Sequence, residues 1–289
     1  MGPRISIIAV VVLYQCRPDQ SSTMASLVHS WEHCSNTGLE LKVIIYDNSP
    51  ERQPGTLTLP FAHQYIHDAA NGGLAAAYNH ALDSDSGGQY QWLLLLDQDS
   101  DLPEDYIALT AGALVEAERE DEVAAVVPRV THGNRPLSPA RLQWWGGVRP
   151  VPEPAPGIWP GPLTAINSGA LLRKSFLSEI GGFNRQFRLD YLDHWLFSEI
   201  NRCGKKTYVS PVRIEHDLSI WHRTGTVPPE RYRFILEAET LFYRTCLKRR
   251  IFKYHLLNLA VRACRQWLSG EWQLSRLTIR HLNEIAANR

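Results

Sequence analysis

The stretch 91-QWLLLLDQDSDLP-103 decides the fold of this chain. A tryptophan and four leucines run directly into Asp97 and Asp99. An apolar run of this length is typical of a parallel strand that is buried on both faces. Because side chains alternate along an extended segment, the stretch predicts two carboxylates that point the same way beyond the end of a buried strand.

Two like charges at one spot repel each other unless a cation lies between them or water solvates them. Carboxylate oxygens suit Mg²⁺ or Mn²⁺ that also bridges to a diphosphate. A turn in which the aspartates act as caps explains the motif equally well, since Asp101 and Pro103 follow. The motif alone therefore leaves a metal site and a capped turn both open.

Strands and helices alternate on both sides of this stretch, which predicts a doubly wound, mostly parallel sheet. Ligands of such sheets bind beyond the carboxyl ends of the strands. The apolar runs and helical spacings predict strands over 5–14, 41–49, 91–97, 122–130 and 206–217, a short strand near Tyr65 and Ile66, and helices over 20–35, 72–82, 103–119, 175–180 and from about Asp190 to Gly204.

Two segments differ in character from this alternation. Residues 131–163 are rich in proline and glycine and predict a long connection with little pattern of its own. Its tryptophans, Trp144, Trp145 and Trp159, fit a platform for a sugar or ordinary core packing. From about residue 228 the chain becomes amphipathic and basic. We therefore expect a catalytic domain over 1–225 and a helical region over 226–289.

The composition is that of an ordinary globular protein of 289 residues, with 44% hydrophobic and 21% charged residues. The formal net charge is zero, which predicts no nucleic-acid partner. Five cysteines without C-x-x-C spacing indicate reduced thiols in a cytoplasmic protein rather than a disulfide or zinc framework. The apolar start, 4-RISIIAVVVLY-14, is too short to span a bilayer and is expected to be a core strand.

Further polar residues fall at the predicted strand and helix ends. Asp47 ends the second strand, where it can accept hydrogen bonds from a ribose or base, or form an Asx turn. Asn71 and Gly72 open a helix, where they can admit a phosphate or sugar, or form a plain turn.

A second acidic group occurs in 190-DYLDHW-195. Helical spacing would place Asp190 and Asp193 on one face beside His194, where a carboxylate can take a proton from a hydroxyl. Solvated aspartates at a helix start explain the same pattern. His216, at the last strand end, fits a metal ligand or a structural histidine.

Taken in order, these motifs resemble the inverting family-two glycosyltransferases of GT-A fold. The resemblance covers about residues 4–220 and depends on the stretches YDNS, NGGLAAAYN, LLLDQDS, NSGALL, GGFN, DYLDHW and HDLS. The DQDS form, preceded by AAAYNHA and followed by DYLD, is most similar to the bacterial rhamnosyltransferase branch. The fold implied is a Rossmann-like α/β nucleotide-diphospho-sugar transferase domain with a C-terminal helical extension.

The resemblance also implies a role for each matching residue. Asp47 would contact the base or ribose, and Asn71, Gly72 and Asn79 would line the nucleotide-sugar pocket. Asp97 would face the ribose and the metal, Asp99 would coordinate the metal, and His216 completes the metal site in some relatives. Asp193 matches the general base. The sugar or acceptor side would comprise Asn167, Ser168, Gly169, Asp190 and His194.

The implied function is transfer of L-rhamnose from dTDP-rhamnose to a glycan or lipid-linked acceptor in bacterial cell-surface polysaccharide synthesis, with Mg²⁺ or Mn²⁺. A UDP-hexose or galactofuranose transferase of the same fold is the alternative. A haloacid-dehalogenase-type phosphatase and a non-catalytic sugar-binding module are distant ones. The basic amphipathic stretch 248–268 predicts either a helix packed on protein or peripheral contact with the inner face of the plasma membrane.

Overall fold

The computed structural model describes residues 5–34, 38–53, 55, 58–85, 87–143, 147–216 and 227–287, apart from the side chain of His216. The chain divides into two compact units. The first comprises Met1–Arg141 and Pro150–Asp217, and the second comprises Leu142–Arg149 and Leu218–Arg289. The predicted domain boundary at 225/226 falls outside the described residues and stays a prediction.

The first unit is built on a mixed, mostly parallel β-sheet. Twelve strands occur in the described residues: β1 (Ile5–Leu13), β2 (Leu39–Asp47), β3 (Ala62–His67), β4 (Trp92–Asp97), β5 (Ser100–Asp101), β6 (Val123–His132), β7 (Arg135–Ser138), β8 (Ala140–Leu142), β9 (Val148–Pro150), β10 (Gly157–Ile158), β11 (Leu171–Arg173) and β12 (Lys206–His216). The main path of the sheet runs β10-β12-β6-β11-β4-β1-β2-β3, while β8 and β9 pair with each other.

The apolar runs form the centre of this sheet, as predicted. All nine residues of β1 are buried, and β1 pairs in parallel with β2 on one side and with β4 on the other. Strands covered on both faces need continuous apolar sequence, because no side chain along them meets water. The prediction of a mostly parallel α/β sheet is therefore confirmed.

Strand β11 was not predicted. It lies antiparallel between β4 and β6, in the middle of the sheet. With three residues it is too short to show a period, and only its neighbours make it a strand. The expectation for residues 131–163 was also wrong, because β7 to β10 lie within or across this segment.

In its described residues the first unit contains five α-helices: α1 (Ser22–Glu32), α2 (Gly73–Asp83), α3 (Tyr106–Ala117), α4 (Lys174–Glu179) and α5 (Leu192–Arg202). Helix α1 shows why the sequence folds this way locally, because the Ser21 side chain caps it by accepting a hydrogen bond of 3.2 Å from the Met24 amide. Its buried face then presents Met24 and Leu27 to the core.

The second unit contains α6 (Pro229–Thr245), α7 (Arg249–Leu268) and α8 (Trp272–Ala287). Tyr232, Leu236 and Leu259 form its small apolar centre. A buried Glu239 carboxylate accepts two hydrogen bonds, of 2.7 and 2.8 Å, from the Arg262 guanidinium. None of the helices in the described ranges combines the length and the hydropathy needed to cross a bilayer.

Candidate functional site

The carboxyl ends of three neighbouring strands form one edge of the sheet. Asp47 at the end of β2 is in register with Leu13 of β1, and Asp97 at the end of β4 is in register with Val12. Since neighbouring strands lie about 4.8 Å apart, the backbones at Asp47 and Asp97 are about 10 Å apart. The two acidic strand ends therefore meet the same edge.

The geometry expected for Asp97 and Asp99 was wrong in one respect. Strand β4 ends at Asp97, and Gln98 and Asp99 form a turn before β5 begins at Ser100. The alternation of an extended segment therefore stops between the two carboxylates. Gln98 holds the turn through two hydrogen bonds. Its side-chain oxygen accepts one of 2.8 Å from the Tyr14 amide, and its backbone carbonyl accepts one of 2.7 Å from the Ser21 hydroxyl.

The segment Asn167–Gly169 lies directly beside the end of β4. The Ser168 hydroxyl donates a short hydrogen bond to the Asp97 carboxylate, and the Gly169 amide donates a hydrogen bond of 2.8 Å to the Leu95 carbonyl. Gly169 has a φ of +78°, and a side chain there would collide with Ile214. The structure thus brings the predicted donor-side Asp97 together with the predicted sugar-side segment.

The end of β12 approaches the same turn. In the antiparallel pairing of β12 with β5, His216 is in register with Ser100, the residue after Asp99. The predicted metal ligand therefore has its backbone beside the acidic turn, while its side chain lies outside the described residues.

The carboxylate of Asp47 holds its own loop. It accepts hydrogen bonds from the Ser49 amide (2.9 Å), the Gln53 amide (3.0 Å) and the Tyr65 hydroxyl, and no part of the residue is exposed. Burial raises the pKa of Asp47, but the hydrogen bonds from Ser49 and Tyr65 outweigh it, and the net pKa is lowered. The structure contains the Asx-turn alternative, and the expected contact of Asp47 with a base or ribose stays a prediction.

The Asn-Gly-Gly turn is also filled by the chain itself. The Gly72 amide donates 2.9 Å to the Asp68 carboxylate, and the Asn71 carbonyl accepts from the Arg188 guanidinium. A Cβ at Gly73, whose φ is +80°, would collide with the Arg188 carbonyl. Gly73 therefore admits the Arg188 backbone to the start of α2, and the expected contact of Asn71 and Gly72 with a nucleotide sugar stays a prediction.

Asn79 joins α2 to the turn that precedes α5. Its side-chain NH₂ group donates a hydrogen bond of 2.8 Å to the Phe183 carbonyl, and its side-chain oxygen accepts one of 2.8 Å from the Phe183 amide. Gly182 lies so close to Asn79 that a Cβ there would come within 2.5 Å of the Asn79 oxygen. These contacts give Asn79 a positioning role, and its expected contact with a nucleotide sugar stays a prediction.

The acidic helix-start motif begins its helix later than expected. Tyr191 has a φ of +61°, and α5 begins only at Leu192, so Asp190 does not share a helical face with Asp193. Asp193 lies in the first turn and accepts 2.7 Å from the His194 amide. The His194 ring lies 3.1 Å from the Thr164 hydroxyl, which fixes its orientation.

Sequence reasoning missed Tyr78, a buried residue whose pKa is affected by two of the predicted site carboxylates. Tyr78 is completely buried in α2, and burial, with Asp97 and Asp193 adding to it, raises its pKa well above the usual value for tyrosine. Burial is the main cause of this shift, and the two carboxylates add to it. The alanine-rich helical pattern gave no signal for this, because Tyr78 looks like an ordinary core residue.

Three buried polar atoms near this edge have no hydrogen-bond partner among the described residues: the Tyr78 hydroxyl and the Oδ1 atoms of Asn48 and Asn167. The Asn167 side chain lies close enough to act on the Tyr78 hydroxyl without forming a hydrogen bond of ordinary geometry. Such orphaned atoms are rare in folded proteins and call for an explanation, of which an absent ligand is one.

The edge is acidic. Burial raises the pKa of the Cys16 thiol in the loop after β1, and the nearby carboxylates of Asp99, Asp19 and Asp47 raise it further. Within the described part of the chain, Asp97 and Asp99 belong to no group of three His, Cys, Asp or Glu ligand atoms that all lie within 4.8 Å of one another. A cation held there would take its other ligands from a diphosphate or water, as Mg²⁺ commonly does.

Of the three tryptophans considered as a sugar platform, only Trp159 is among the described residues. The guanidinium of Arg141 lies 5.0 Å from the centre of its ring, and its backbone amide bonds to the Thr207 carbonyl at 2.9 Å. One face of this indole is therefore covered by a cation. Trp144 and Trp145 lie outside the described residues.

Neither a protein-family model nor a curated protein matches the chain. Solved structures do match it. S. aureus TarS does so with a TM-score of 0.50 and 14% identity, over 89% of this chain but only 43% of that one. The mannosyltransferase PcManGT from Pyrobaculum calidifontis, in complex with GDP-Man and Mn²⁺, matches with a TM-score of 0.50 and 15% identity, over 97% of this chain and 88% of that one.

The chain has the GT-A fold. At 14–15% identity the likeness establishes the fold and nothing finer. Within a GT-A fold, the edge that carries Asp97, Ser168 and Asp193 lies at the carboxyl ends of the parallel strands, where open α/β sheets bind their ligands. Activity has to be argued from those residues, since one fold carries many functions.

Proposed function

We propose that the chain is a metal-dependent, inverting glycosyltransferase that uses a nucleotide sugar. The observation that carries this is the acidic edge of the sheet, where Asp97 accepts a hydrogen bond from the Ser168 hydroxyl and the end of β12 pairs with the residues directly after Asp99. Asp97 belongs to a strand end and Asp193 to a helix start. A site with two separate carboxylates can serve a leaving group and a nucleophile at once.

On the donor side, Asp97 and Asp99 would hold a divalent cation. Their oxygens are the ligand type that Mg²⁺ and Mn²⁺ prefer, and the acidic surroundings stabilise a cation. When bound, the ion neutralises charge on the departing nucleoside diphosphate. The Ser168 hydroxyl orients Asp97, and the turn around Gln98 orients Asp99. His216, placed beside the turn by its strand pairing, is proposed as a further ligand.

On the acceptor side, Asp193 would take the proton of the attacking hydroxyl. The acceptor oxygen forms a bond to the anomeric carbon while the bond from that carbon to the diphosphate oxygen breaks. The proton passes to the Asp193 carboxylate, and the nucleoside diphosphate leaves with the bonding electron pair. A single displacement of this kind inverts the anomeric centre. His194, held by Thr164, and Asp190 would border the acceptor.

We propose dTDP-rhamnose as the first donor to test, on the strength of the DQDS and DYLD motifs. The PcManGT complex with GDP-Man and Mn²⁺ supports including GDP-mannose, and a UDP-hexose completes the comparison. A true donor raises the melting temperature through mass action, and Mn²⁺ should increase the shift. A panel in which no nucleotide sugar shifts the melting temperature, with or without Mn²⁺, contradicts the proposal.

Replacing Asp193 with asparagine tests the proton acceptor. A general base contributes about 10²- to 10⁴-fold to the rate, so Asp193→Asn should lose turnover by such a factor while donor binding is retained. The measurement pairs product formation with calorimetric donor affinity. Near-normal turnover in Asp193→Asn would show that another group takes the proton.

Replacing Asp99 with alanine tests the metal ligand. Asp99→Ala should weaken Mn²⁺-dependent donor binding, whereas Asp101→Ala, which removes an exposed carboxylate two residues away, should not. If the two variants bind Mn²⁺ and donor equally well, the acidic turn does not hold the ion.

We propose that helix α7 touches an anionic membrane at its cytoplasmic face, the surface at which a lipid-linked acceptor would be present. The helix carries five Lys or Arg residues and no acidic residue. Its exposed apolar residues Tyr254, Leu257, Val261 and Leu268 follow helical spacing. Co-sedimentation with phosphatidylglycerol vesicles should fall in Leu257→Asp and persist in Ile279→Asp, an exposed position on α8. Equal co-sedimentation of both variants argues against this surface.

A further inference from the structure

A second group of metal-ligating side chains lies at the C-terminal end of α1. His29 and His33 are four residues apart, so they lie on one face of the helix. The Nε2 atom of each lies 3.9 Å from a different oxygen of Glu104, just before α3. One ligand atom from each residue lies within 4.8 Å of the other two, and all three side chains are exposed.

The His33 ring is already oriented as a metal ligand would be. Its Nδ1 atom lies 2.8 Å from the His29 carbonyl oxygen. A carbonyl can only accept, so Nδ1 carries the proton, and the lone pair of a neutral ring is on Nε2. This atom is the one that faces Glu104. Metal-bound histidines typically donate their second N–H to a carbonyl or carboxylate in the same way.

We propose that His29, His33 and Glu104 bind a divalent transition metal of the zinc class. Two imidazole nitrogens and a carboxylate favour Zn²⁺, Ni²⁺ or Cu²⁺ over Mg²⁺ or Mn²⁺. Zinc bonds of about 2.0–2.2 Å in a tetrahedral arrangement place ligand atoms about 3.3 Å apart. Because the side chains are exposed, small rotations can shorten the 3.9 Å between each histidine Nε2 and its Glu104 oxygen to that separation. Three protein ligands leave one position for water or an exchangeable group.

The site joins α1 to the segment that follows the acidic turn. Between the two, the Thr23 hydroxyl bonds to both the amide (2.8 Å) and the carbonyl (3.0 Å) of Ser100, and the Leu102 amide donates 3.1 Å to Ser26. A metal on His29, His33 and Glu104 would add a cross-link at the far end of this contact. It would therefore stabilise the arrangement that holds Asp99 without entering the proposed donor site.

Isothermal titration of ZnCl₂ into untagged, full-length protein tests the proposal. We expect one saturable ion per chain in the wild type and loss of that binding step in His29→Ala and in His33→Ala. Glu104→Gln should weaken it. His63→Ala removes another exposed histidine and should keep it, and Asp99→Ala should also keep it, which separates this site from the proposed donor metal. Because the three residues are exposed, the variants should match the wild-type melting temperature in EDTA.

A second readout is the melting temperature in excess Zn²⁺. It should rise in wild type, His63→Ala and Asp99→Ala, and should not rise in His29→Ala or His33→Ala. Saturable zinc binding that survives both histidine replacements, or no saturable binding in the wild type, would overturn the proposal. Binding that disappears in Asp99→Ala would assign the ion to the acidic turn and overturn it equally.

Discussion

Replacing Tyr78 with phenylalanine should make the protein more stable and less active. The Tyr78 hydroxyl is fully buried and has no hydrogen-bond partner among the described residues. Leaving a hydroxyl in that state costs about 1–3 kcal/mol, judged from protein mutations. Removing the oxygen relieves that cost without opening a cavity larger than one atom. A gain of about 1 kcal/mol corresponds to a rise in melting temperature of about 2–4 °C for a unit of this size.

The loss of activity has a different cause. We expect the orphaned hydroxyl to donate its hydrogen bond to bound donor or acceptor, because it is buried without a partner and the Asp97 and Asp193 carboxylates both raise its pKa. A hydrogen bond to a neutral group contributes about 0.5–1.5 kcal/mol, and one to a charged group about 1.5–3 kcal/mol. Since 1.4 kcal/mol corresponds to a factor of ten, kcat/KM should fall by about three- to a hundredfold.

The chain contains a matched control for this experiment. Tyr106 in α3 is also buried, and its hydroxyl likewise lacks a partner in the described structure. Tyr106→Phe should therefore raise the melting temperature in the same way. Tyr106 belongs to the main apolar core, and burial raises its pKa without a contribution from any carboxylate, so its removal should leave kcat/KM unchanged.

The assay combines thermal unfolding in the absence of donor with steady-state transfer kinetics for both variants. Reduced stability of Tyr78→Phe would show that the hydroxyl is satisfied in the folded protein. Unchanged kcat/KM in Tyr78→Phe would show that it has no contact with substrate. Either result refutes the reasoning, and an equal loss of activity in Tyr106→Phe would attribute the effect to general packing.

Two further predictions concern stability. Gly169→Ala should lower the free energy of unfolding in urea by more than Gly181→Ala does. Both glycines have a φ of +78°, but a Cβ at Gly169 would collide with Ile214, whereas a Cβ at Gly181 would face open space. The backbone strain that both variants share is about 1–3 kcal/mol, and equal losses of stability would mean that Ile214 moves aside freely. Burial lowers the pKa of His255 to about 4 although Glu239 opposes the shift, so the folded form binds fewer protons than the unfolded form between pH 6.5 and 4. The contribution of His255 to the stability of the helical unit should therefore be complete above pH 6.5 and should be lost toward pH 4, with a slope of up to about 1.4 kcal/mol per pH unit. If His255→Gln shows the same slope, other groups cause the pH dependence.

Local pattern was enough for the strands and helices of the parallel core. The run before Asp97 and the run 5–14 were strands because continuous apolar sequence has no stable place except between two covering layers. The same logic placed Asp47 and Asp97 at one edge, as the register confirms. Helix α1 was predictable from its spacing and its cap, which are local features.

Contacts between distant residues decided what each polar group does. The tertiary structure places Tyr65 against Asp47, the Arg188 backbone against Gly73, and Phe183 against Asn79. Arg188 and Phe183 are more than a hundred residues away in the sequence from the groups that they contact. No periodicity or spacing could have supplied them.

The sequence by itself determined the layered α/β architecture and the edge where carboxylates gather, because burial and side-chain alternation are repeated locally along the chain. Only the tertiary structure decided that β11 runs antiparallel, that Tyr191 delays α5, and that Ser168 bonds to Asp97. These features depend on which surfaces meet after folding. The free energy of such a contact depends on two residues that are distant in the sequence. The local sequence around one of them does not indicate which residue the other will be.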